Sequence, residues 1–257
     1  MRIELHRLVK AYDGAAALGP IDLSIDQHES VALLGPSGCG KSTLIRILSG
    51  LDTASEGEAS FDGRPQSGPT PAVGLVFQEP RLMPWLTVRE NVRLALGGIA
   101  RKQQDRRIAE ALGAVGLASH VDALPRALSG GMAQRAGVAR ALVRQPQALL
   151  LDEPFSALDA FTRAKLQDHL AALWSASKFT LILVTHDIEE AIVVADRVLV
   201  MAGPPGRFIA DISIELPRPR DRTAPDLQAL RRRIAEAISP ETLSVRDRAT
   251  YVSPAAE

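Results

Sequence analysis

A glycine-rich segment near the N-terminus contains the residue types that bind phosphate. It follows the pattern GxxxxGK[ST] and consists of Gly35, Pro36, Ser37, Gly38, Cys39, Gly40, Lys41 and Ser42. Glycines allow backbone N–H groups to approach an anion closely, and the positive end of a following helix dipole attracts negative charge. In this pattern the lysine reaches the β- and γ-phosphates of a nucleotide and the hydroxyl group binds Mg²⁺. The pattern therefore predicts these two roles for Lys41 and Ser42.

The residues on either side of this loop distinguish nucleotide binding from an ordinary glycine-rich turn before a helix. Val31–Leu34 is a short apolar run that predicts a buried strand, and a helix is predicted over Leu44–Leu48. The pattern binds phosphate in this strand–loop–helix context, so nucleotide binding is the favoured interpretation. Cys39 is interpreted as a small side chain in the loop and not as a reactive thiol.

Two acidic residues follow a second apolar run. Ala148–Leu151 predicts a buried strand, and Asp152 and Glu153 come directly after it. A carboxylate in this position can hold Mg²⁺ directly or through water, and the next one can face the γ-phosphate and polarise the attacking water. Acids are also common in polar loops after strands. The phosphate loop upstream favours the catalytic interpretation, with Asp152 at the metal and Glu153 as the base.

A histidine occupies the same kind of position after a third apolar run. His186 follows Leu181–Thr185, and ligands of open α/β sheets bind at the carboxyl ends of the strands. A lone histidine is usually structural or exposed, but this position favours a contact with the γ-phosphate. No chemistry is predicted for the remaining histidines, which are His6, His28, His120 and His169.

The elements that position these residues alternate between strands and helices. Residues 2–9 and 21–26 alternate in polarity like half-exposed strands, and the later apolar runs are separated by helical stretches. Such alternation predicts an α/β fold with a mostly parallel sheet covered on both faces. We therefore expect a P-loop NTPase (RecA-like) core, an antiparallel β layer near the N-terminus, and an inserted helical subdomain at about residues 88–147.

Composition limits the classes of partner. The chain has 257 residues with 30 basic and 30 acidic side chains, so no net positive field indicates a nucleic acid partner. A single cysteine excludes an internal disulfide framework and favours a cytosolic setting. No run approaches the ~18 apolar residues that indicate a membrane-spanning helix. If the protein serves a membrane, we expect another chain to supply the membrane-spanning part.

One further segment carries a resemblance to a known family. Leu128–Arg135 resembles the signature motif of ABC ATPases, and the resemblance covers roughly residues 2–216 with the motifs in the family's order. The fifth signature residue is usually glutamine and is Met132 here, whereas the serine and the two glycines before it are retained. The resemblance implies one ATPase domain over 2–216. Residues 217–257 form a C-terminal extension, in which a single amphipathic helix is predicted over 226–238.

The signature has the features of a second anion site. Ser129 can cap the following helix, and Gly130 and Gly131 expose backbone N–H groups at its positive end. Taken alone, the segment would be interpreted as a plain helix cap. The family resemblance implies more: the signature of one subunit closes on ATP held by the other, so that two ATP molecules lie between two copies of the chain.

Other roles are implied by position within the family pattern. Tyr12 resembles the aromatic residue that stacks on adenine, although a surface tyrosine after a strand is the alternative. Gln78 resembles the residue that senses Mg²⁺ and the attacking water, and Asp159 resembles the acid that couples the two sites of the dimer. The resemblance adds Thr43 to the phosphate-binding residues. The implied Mg²⁺ ligands are Ser42, Gln78 and Asp152.

The segment Glu79–Thr87 resembles the loop found in importers of the nitrate, sulfonate and taurine group. Leu82, Met83 and Trp85 would be costly to leave in water, so each packs inward on the helical subdomain or contacts a partner. A partner contact is favoured for the loop. The resemblance implies the ATPase subunit of an importer at the cytoplasmic face of the cell membrane. It binds a membrane-spanning permease and depends indirectly on an extracytoplasmic solute-binding protein; the solute is a small anion such as nitrate, an aliphatic sulfonate or taurine.

Three other functions are compatible with parts of the pattern. A soluble ABC ATPase that serves as an assembly or ribosome-associated factor often has tandem ATPase domains, whereas this sequence has one phosphate loop and one signature. A DNA-repair ATPase usually contains a long coiled-coil insertion, and no such heptad stretch occurs. An ATP-gated clamp that does not hydrolyse would not need Glu153 and His186. The transporter interpretation is favoured, with ATP and Mg²⁺ as cofactors.

Overall fold

The computed structural model describes residues 1–177 and 179–239 and contains two β-sheets and several helices. The strands are β1 (Ile3–Tyr12), β2 (Ala15–Ile25), β3 (Ser30–Leu34), β4 (Glu56–Phe61), β5 (Arg64–Pro65), β6 (Val73–Val76), β7 (Ala148–Asp152), β8 (Thr180–Thr185), β9 (Arg197–Ala202) and β10 (Arg207–Ser213). The α-helices are α1 (Lys41–Leu48), α2 (Val88–Arg93), α3 (Arg101–Ala114), α4 (Gly130–Leu142), α5 (Ala160–Ser177), α6 (Ile188–Val194) and α7 (Pro225–Ile238). None of these helices is long and apolar enough to cross a membrane.

The larger sheet gathers the predicted site residues at one edge. Its strand order is β10-β9-β3-β8-β7-β6. The five strands β9, β3, β8, β7 and β6 run parallel to one another, and β10 is antiparallel to β9. Leu34 at the end of β3 lies opposite Thr185 in β8, and Asp152 at the end of β7 lies opposite Val184. Because the carboxyl ends of parallel strands meet at one edge, the phosphate loop, the acidic pair and His186 all follow strands there. The expected mostly parallel sheet is confirmed.

A second, antiparallel sheet has the strand order β2-β1-β4-β5. Along β1 the side chains of Ile3, Leu5 and Leu8 are almost completely buried. They share one hydrophobic core with the apolar side chains of α1 and with residues of the parallel sheet. The helix that follows the phosphate loop is therefore fixed by contacts with both sheets. The antiparallel layer expected near the N-terminus is confirmed.

The helices α2, α3 and α4 lie between β6 and β7, within the interval 88–147. α2 begins with a capping box, in which the Thr87 hydroxyl accepts a hydrogen bond from the Glu90 N–H and the Glu90 carboxylate accepts one from the Thr87 N–H. Apolar residues of the three helices share a core with α5 and with residues of the parallel sheet. The helical region is thus joined to the sheet by a continuous core, and the boundaries of an inserted subdomain stay a prediction.

The C-terminal segment packs against the core through one helix. The amphipathic helix expected over 226–238 is confirmed as α7. Its Leu227 and Ile234 are buried together with apolar residues of α6, β9 and β10. Residues 240–257 of the predicted extension lie outside the described residues.

An arginine between β10 and α7 closes the carboxyl end of α6. Arg220 is almost fully buried, and its guanidinium donates hydrogen bonds to the backbone carbonyls of Ile192 and Ala195. It also forms an ion pair with Asp196 at 3.0 Å. The last carbonyls of a helix have no partners within the helix, and a cation there is favoured by the helix dipole. Burial lowers the pKa of Arg220 to about 10, so the side chain stays charged at neutral pH.

We expect Arg220→Met to lower the free energy of unfolding by about 3–5 kcal/mol, because it removes the buried cation that satisfies the helix carbonyls and Asp196. The shift of the urea denaturation midpoint measures this loss. Arg64→Met is the matched control, because Arg64 is exposed on β5 and such a surface change costs at most about 0.5 kcal/mol. Equal midpoints for the two variants would show that the buried arginine does not stabilise the fold.

Candidate functional site

The phosphate loop folds around the side chain of its own lysine. Lys41 Nζ donates hydrogen bonds to the carbonyl oxygens of Gly35 and Pro36, at 2.7 and 2.8 Å. Gly40 has a φ of 97°, a left-handed conformation that favours glycine. A Cβ atom at Gly35 would lie 2.3 Å from the Met201 carbonyl oxygen, so only glycine fits there. Phosphate oxygens can replace the two loop carbonyls as partners of the lysine.

The other residues of the loop differ in exposure. Pro36, Ser37 and Gly38 are exposed at its tip. Cys39 is fully buried and packs in the core that the two sheets share. The burial of the thiol fits its interpretation as a small packed side chain.

Two predicted Mg²⁺ ligands face each other beside the loop. Ser42 Oγ donates a hydrogen bond to Asp152 Oδ1 at 3.1 Å. Burial raises the pKa of Asp152, and the negative charge of Glu153 acts in the same direction. A divalent cation would offset this cost of keeping the carboxylate ionised, and hydroxyl and carboxylate oxygens are ligands that suit Mg²⁺. Ser42 and Asp152 therefore fit this ion and would hold it beside the phosphate loop.

The third predicted ligand makes a different contact. Gln78 Nε2 donates a hydrogen bond to Ser156 Oγ at 3.2 Å, and Ser156 Oγ donates one to the Glu153 carbonyl oxygen at 3.0 Å. The glutamine is thus connected to the acidic pair through the loop that follows β7, and not through Ser42. Its role at Mg²⁺ and at the attacking water stays a prediction.

Glu153 and His186 meet where β7 and β8 end. His186 Nδ1 lies 3.3 Å from Glu153 Oε2. Glu153 has a φ of 45°, a left-handed conformation that costs a non-glycine residue about 1–3 kcal/mol. Its backbone N–H donates a hydrogen bond to the Val184 carbonyl oxygen at 3.0 Å, which fixes this turn on the neighbouring strand. A carboxylate and an imidazole placed together in this way can orient and deprotonate a water molecule.

Tyr12 is held in place by two charged neighbours. Its hydroxyl donates a hydrogen bond to Asp52 Oδ2 at 2.5 Å, while Lys10 Nζ lies 2.6 Å from Asp52 Oδ1 and 4.7 Å from the centre of the tyrosine ring. The hydrogen bond from Lys10, followed by that from Tyr12, lowers the pKa of Asp52 to about 2. The tyrosine is 42% exposed, so its fixed ring can present a face to a base. Stacking on adenine stays a prediction.

The signature begins α4. Ser129 is the N-cap residue, and its Oγ accepts a hydrogen bond from the Met132 N–H at 3.3 Å, which confirms the predicted cap. A Cβ atom at Gly131 would lie 2.4 Å from Thr162 Cγ2, whereas one at Gly130 would meet its nearest neighbour at 3.7 Å. Packing of α4 against α5 therefore requires glycine at 131, and no steric reason requires it at 130. Anion binding by these residues stays a prediction.

A surface pocket of about 400 Å³ lies beside the signature. Ser129, the N-cap residue of α4, and Gly131 line one side of it, and Phe161 and Lys165 of α5 line the other. None of its described lining residues belongs to the phosphate loop. In one copy of the chain, the signature therefore opens onto a pocket that the phosphate loop does not border.

Asp159 lies directly before α5, next to this pocket. Its carboxylate accepts hydrogen bonds from the backbone N–H groups of Phe161 and Thr162, at 3.1 and 3.0 Å. Hydrogen bonding by Thr162 holds the pKa of Asp159 below its usual value. The acid thus caps the start of α5 in the single chain, and the predicted coupling between two sites stays a prediction.

The loop after β6 is fixed by polar side chains of the helical region. Arg140 donates hydrogen bonds to the carbonyl oxygen of Pro80 at 2.6 Å and of Arg81 at 2.8 Å. Asn91 is buried. Its side-chain oxygen accepts a hydrogen bond from the Met83 N–H at 2.7 Å, and its side-chain amide donates one to the Met83 carbonyl oxygen at 3.2 Å. These contacts hold the loop backbone in one conformation.

The apolar side chains of this loop point in different directions. Leu82 is partly buried and packs against the core that includes α2, α3 and α4. Trp85 is 71% exposed. From the sequence, each side chain could either pack inward or contact a partner. In the structure the leucine packs inward, and the tryptophan is exposed and available for a partner.

The fold and the site together define a class of protein. It is a P-loop ATPase in which a phosphate loop, an acidic pair and a histidine meet at one edge of a parallel sheet. The helix α4, which begins with the signature, opens onto a separate pocket. The family model described as ABC transporter matches residues 18–156. The chain belongs to the ABC transporter family, and within it the chain is an ATP-binding, ATP-hydrolysing subunit.

Similar proteins agree with this assignment. The aliphatic sulfonates import ATP-binding protein SsuB 1 of Xanthomonas axonopodis pv. citri (strain 306) is 49% identical over 225 residues, which cover 86% of this chain and 89% of the relative. A dimeric post-hydrolysis structure of the ATP-binding cassette MJ0796 bound to ADP and Pi has 31% identity and a TM-score of 0.73, covering 83% of this chain and 99% of that one. CbiO1 from Clostridium perfringens, part of the ABC transporter complex CbiONQ, has 28% identity and a TM-score of 0.77, with coverages of 91% and 93%. The predicted fold class and family resemblance are confirmed.

Proposed function

We propose that hydrolysis of ATP takes place at the edge of the parallel sheet with Mg²⁺ as cofactor. The meeting of Ser42, Asp152, Glu153 and His186 at this edge is the observation that carries the proposal. Lys41 and the N–H groups of the loop hold the β- and γ-phosphates, and Ser42 and Asp152 hold the metal ion. Bound Mg²⁺ would neutralise charge on the phosphate oxygens. Glu153 accepts a proton from the attacking water, and His186 contacts the γ-phosphate.

Two copies of the chain pair head to tail around two ATP molecules in this proposal. Support comes from the separation of the signature pocket from the phosphate loop within one copy. The similar cassette MJ0796 forms a dimer, which gives further support. Tyr12 stacks on adenine, Gln78 approaches the metal and the attacking water, and Asp159 couples the two sites across the dimer.

The transported solute is proposed to be an aliphatic sulfonate and not nitrate, with simple alkanesulfonates preferred to the amino-substituted sulfonate taurine. The relative with 49% identity, whose name specifies import of aliphatic sulfonates, supports this choice. The chain binds the cytoplasmic side of a membrane-spanning permease, and an extracytoplasmic binding protein delivers the solute to that permease. Selectivity for the solute then lies in these partners.

Transport by a reconstituted complex tests the proposal. The chain is assembled in vesicles with its permease and binding protein, and uptake of labelled ethanesulfonate is measured with Mg-ATP on the side of the ATPase. We expect ATP-dependent uptake, and ATP hydrolysis stimulated by the sulfonate-loaded binding protein. Uptake of nitrate in place of ethanesulfonate would contradict the proposed solute, and uptake of taurine in place of ethanesulfonate would contradict the preference for simple alkanesulfonates. No stimulation by any of the three would contradict import of this group of solutes.

Trp85 is expected to anchor the permease. Trp85→Ala should weaken binding to the permease by about 2 kcal/mol or more, as for an aromatic side chain at the centre of an interface. Hydrolysis by the isolated chain should persist, because the substitution leaves the catalytic groups untouched. Co-purification with the permease and solute-stimulated hydrolysis in vesicles measure the two effects.

Two further variants show whether the effect belongs to Trp85. Leu82→Ala should lower the stability of the chain and change permease affinity less, because Leu82 packs against the core. Leu51→Ala is the matched surface control, because Leu51 is 50% exposed and lies outside the loop. Normal assembly and transport by Trp85→Ala would show that the loop does not dock the permease through this side chain.

A further inference from the structure

A buried glutamate beside Glu153 and His186 has no role in the proposed mechanism. Glu190 lies in the first turn of α6 and is only 4% exposed. The Thr185 hydroxyl donates a hydrogen bond to Glu190 Oε2, and Thr185 Oγ1 accepts one from the Asp187 N–H at 3.0 Å. Asp187 Oδ1 in turn accepts one from the Glu190 N–H at 3.1 Å. These bonds connect the two residues on either side of His186.

The arrangement is a modified capping box. In the usual form, a glutamate at the third position of a helix accepts a hydrogen bond from the backbone N–H of the N-cap residue. Here Asp187 is the N-cap residue, but its N–H donates to Thr185, whose hydroxyl then donates to Glu190. The glutamate therefore restrains the backbone both before and after His186.

The second oxygen of this glutamate faces a small cavity. Glu190 Oε1 and Arg163 Nε are both buried, and neither has a hydrogen-bond partner among the described residues. Both side chains line a cavity of about 20 Å³, which Glu153 and His186 also border. A polar cavity of more than about 10–15 Å³ can hold one water molecule, and buried polar atoms almost always have a partner. The cavity thus has the size and the polar groups for a single bound water.

We propose, on the basis of the function proposed above, that Glu190 is a positioning residue for ATP hydrolysis. It acts through Thr185 and through one water molecule shared with Arg163, and it keeps His186 and Glu153 in the geometry that the attacking water needs. The bound water accepts a hydrogen bond from Arg163 Nε and contacts Glu190 Oε1. The water also donates a hydrogen bond to the carboxylate of Glu153, which borders the same cavity.

The protonation state of Glu190 matters for this role. Burial raises its pKa to about 8, and the charges of Asp187 and Glu153 act in the same direction, whereas Thr185 and Arg163 oppose them. At pH 7 the side chain is therefore mainly neutral and adds no charge beside Glu153. The folded chain keeps a proton that the unfolded chain loses above its usual pKa of 4.5, so stability falls as pH rises from 4.5 to about 8. Above about pH 8 a new negative charge on Glu190 faces Glu153 and His186.

Two substitutions at this position test the proposal. Glu190→Ala removes the restraint, so kcat at pH 7 should fall by about tenfold or more while the dissociation constant for ATP changes by less than about threefold. Glu190→Gln resembles the neutral acid in shape and can still donate a hydrogen bond, so it should restore most of the lost kcat. We expect the kcat of the wild type to decrease above about pH 8, and because glutamine cannot ionise, this variant should lose that decrease.

The matched control is the neighbouring glutamate. Glu189 forms an ion pair with Arg222 at 3.3 Å and does not border the cavity, so Glu189→Gln should leave kcat and its pH profile unchanged. A high-resolution crystal structure should show a water molecule between Glu190 and Arg163.

Three results would overturn the proposal: a wild-type kcat for Glu190→Ala, an alkaline decrease that persists in Glu190→Gln, or a direct Glu190–Arg163 contact without water. The glutamine variant leaves no cavity behind, so it remains informative even if the alanine variant fails to fold. Absence of hydrolysis by the wild type would instead contradict the proposed function, so the two failures are distinguishable.

Discussion

Glu153→Gln should bind ATP as the wild type does and hydrolyse it about 10²-fold or more slowly. Glutamine has nearly the shape of glutamate, so the turn with a φ of 45° and the neighbouring His186 should keep their places. The amide cannot accept the proton that the attacking water loses, and this is the step that the substitution removes. Single-turnover hydrolysis with Mg²⁺ and equilibrium binding of a fluorescent ATP analogue measure the two quantities separately.

Two other variants show whether the loss of turnover is specific to Glu153. Glu58→Gln makes the same chemical change at an exposed position on β4, and its turnover should equal that of the wild type. Lys41→Ala should weaken ATP binding itself, because it removes the ammonium group that the loop carbonyls now hold. Near-normal turnover in Glu153→Gln would place the catalytic base on another residue.

The strands of the parallel sheet could be predicted because their signal is local. Each is a short run of apolar residues followed by a polar loop, and β8 begins only one residue before the predicted run at Leu181. The strands β4 and β10 were not predicted. Glu56–Phe61 begins with three exposed residues, and Arg207–Ser213 has only one fully buried position, so neither has the continuous apolar run of a buried strand. Their pairing with β1 and β9 depends on contacts between distant parts of the chain.

The same distinction between local and distant contacts applies to the site. Lys41, Glu153 and His186 could be located because each belongs to a local pattern at the end of a strand. Asp52, which fixes Tyr12, has no such pattern, and the two residues are 40 positions apart in the sequence. The burial of Arg220 could not be predicted from the sequence, because arginine is seldom fully buried.

Glu190 could have been found from the sequence. An N-cap residue followed three positions later by glutamate is the pattern of a capping box, and Asp187 and Glu190 have that spacing. The insertion of Thr185 into this box could not be predicted, because it depends on how β8 meets α6 in the folded chain.

Replacement of Ser129 by arginine should abolish an ATP-dependent dimer. The Glu153→Gln chain should retain ATP, so we expect light scattering to show a shift from monomer to dimer when Mg-ATP is added. Arginine at 129 removes the cap of α4 and fills the start of the signature pocket with a bulky charged group. The phosphate loop does not border that pocket, so each chain should still bind ATP. Ser119→Arg is the matched control, because Ser119 is an exposed serine outside the signature, and this variant should dimerise normally.

Mixing two defective chains shows whether the signature acts on ATP held by the other copy. In the Glu153→Gln background, a Ser129→Arg chain keeps its phosphate loop and a Lys41→Ala chain keeps its signature. A head-to-tail pair of the two contains one complete site and one site with both defects, so the mixture should dimerise although neither chain does so alone. One bound ATP molecule stabilises the dimer less than two bound ATP molecules do. The mixed dimer should therefore form only at a higher protein concentration than the Glu153→Gln dimer. A mixture that stays monomeric, or a Ser129→Arg chain that dimerises by itself, would contradict the head-to-tail arrangement. Because the two defects affect different surfaces of one chain, only a site built from two copies can be restored by mixing.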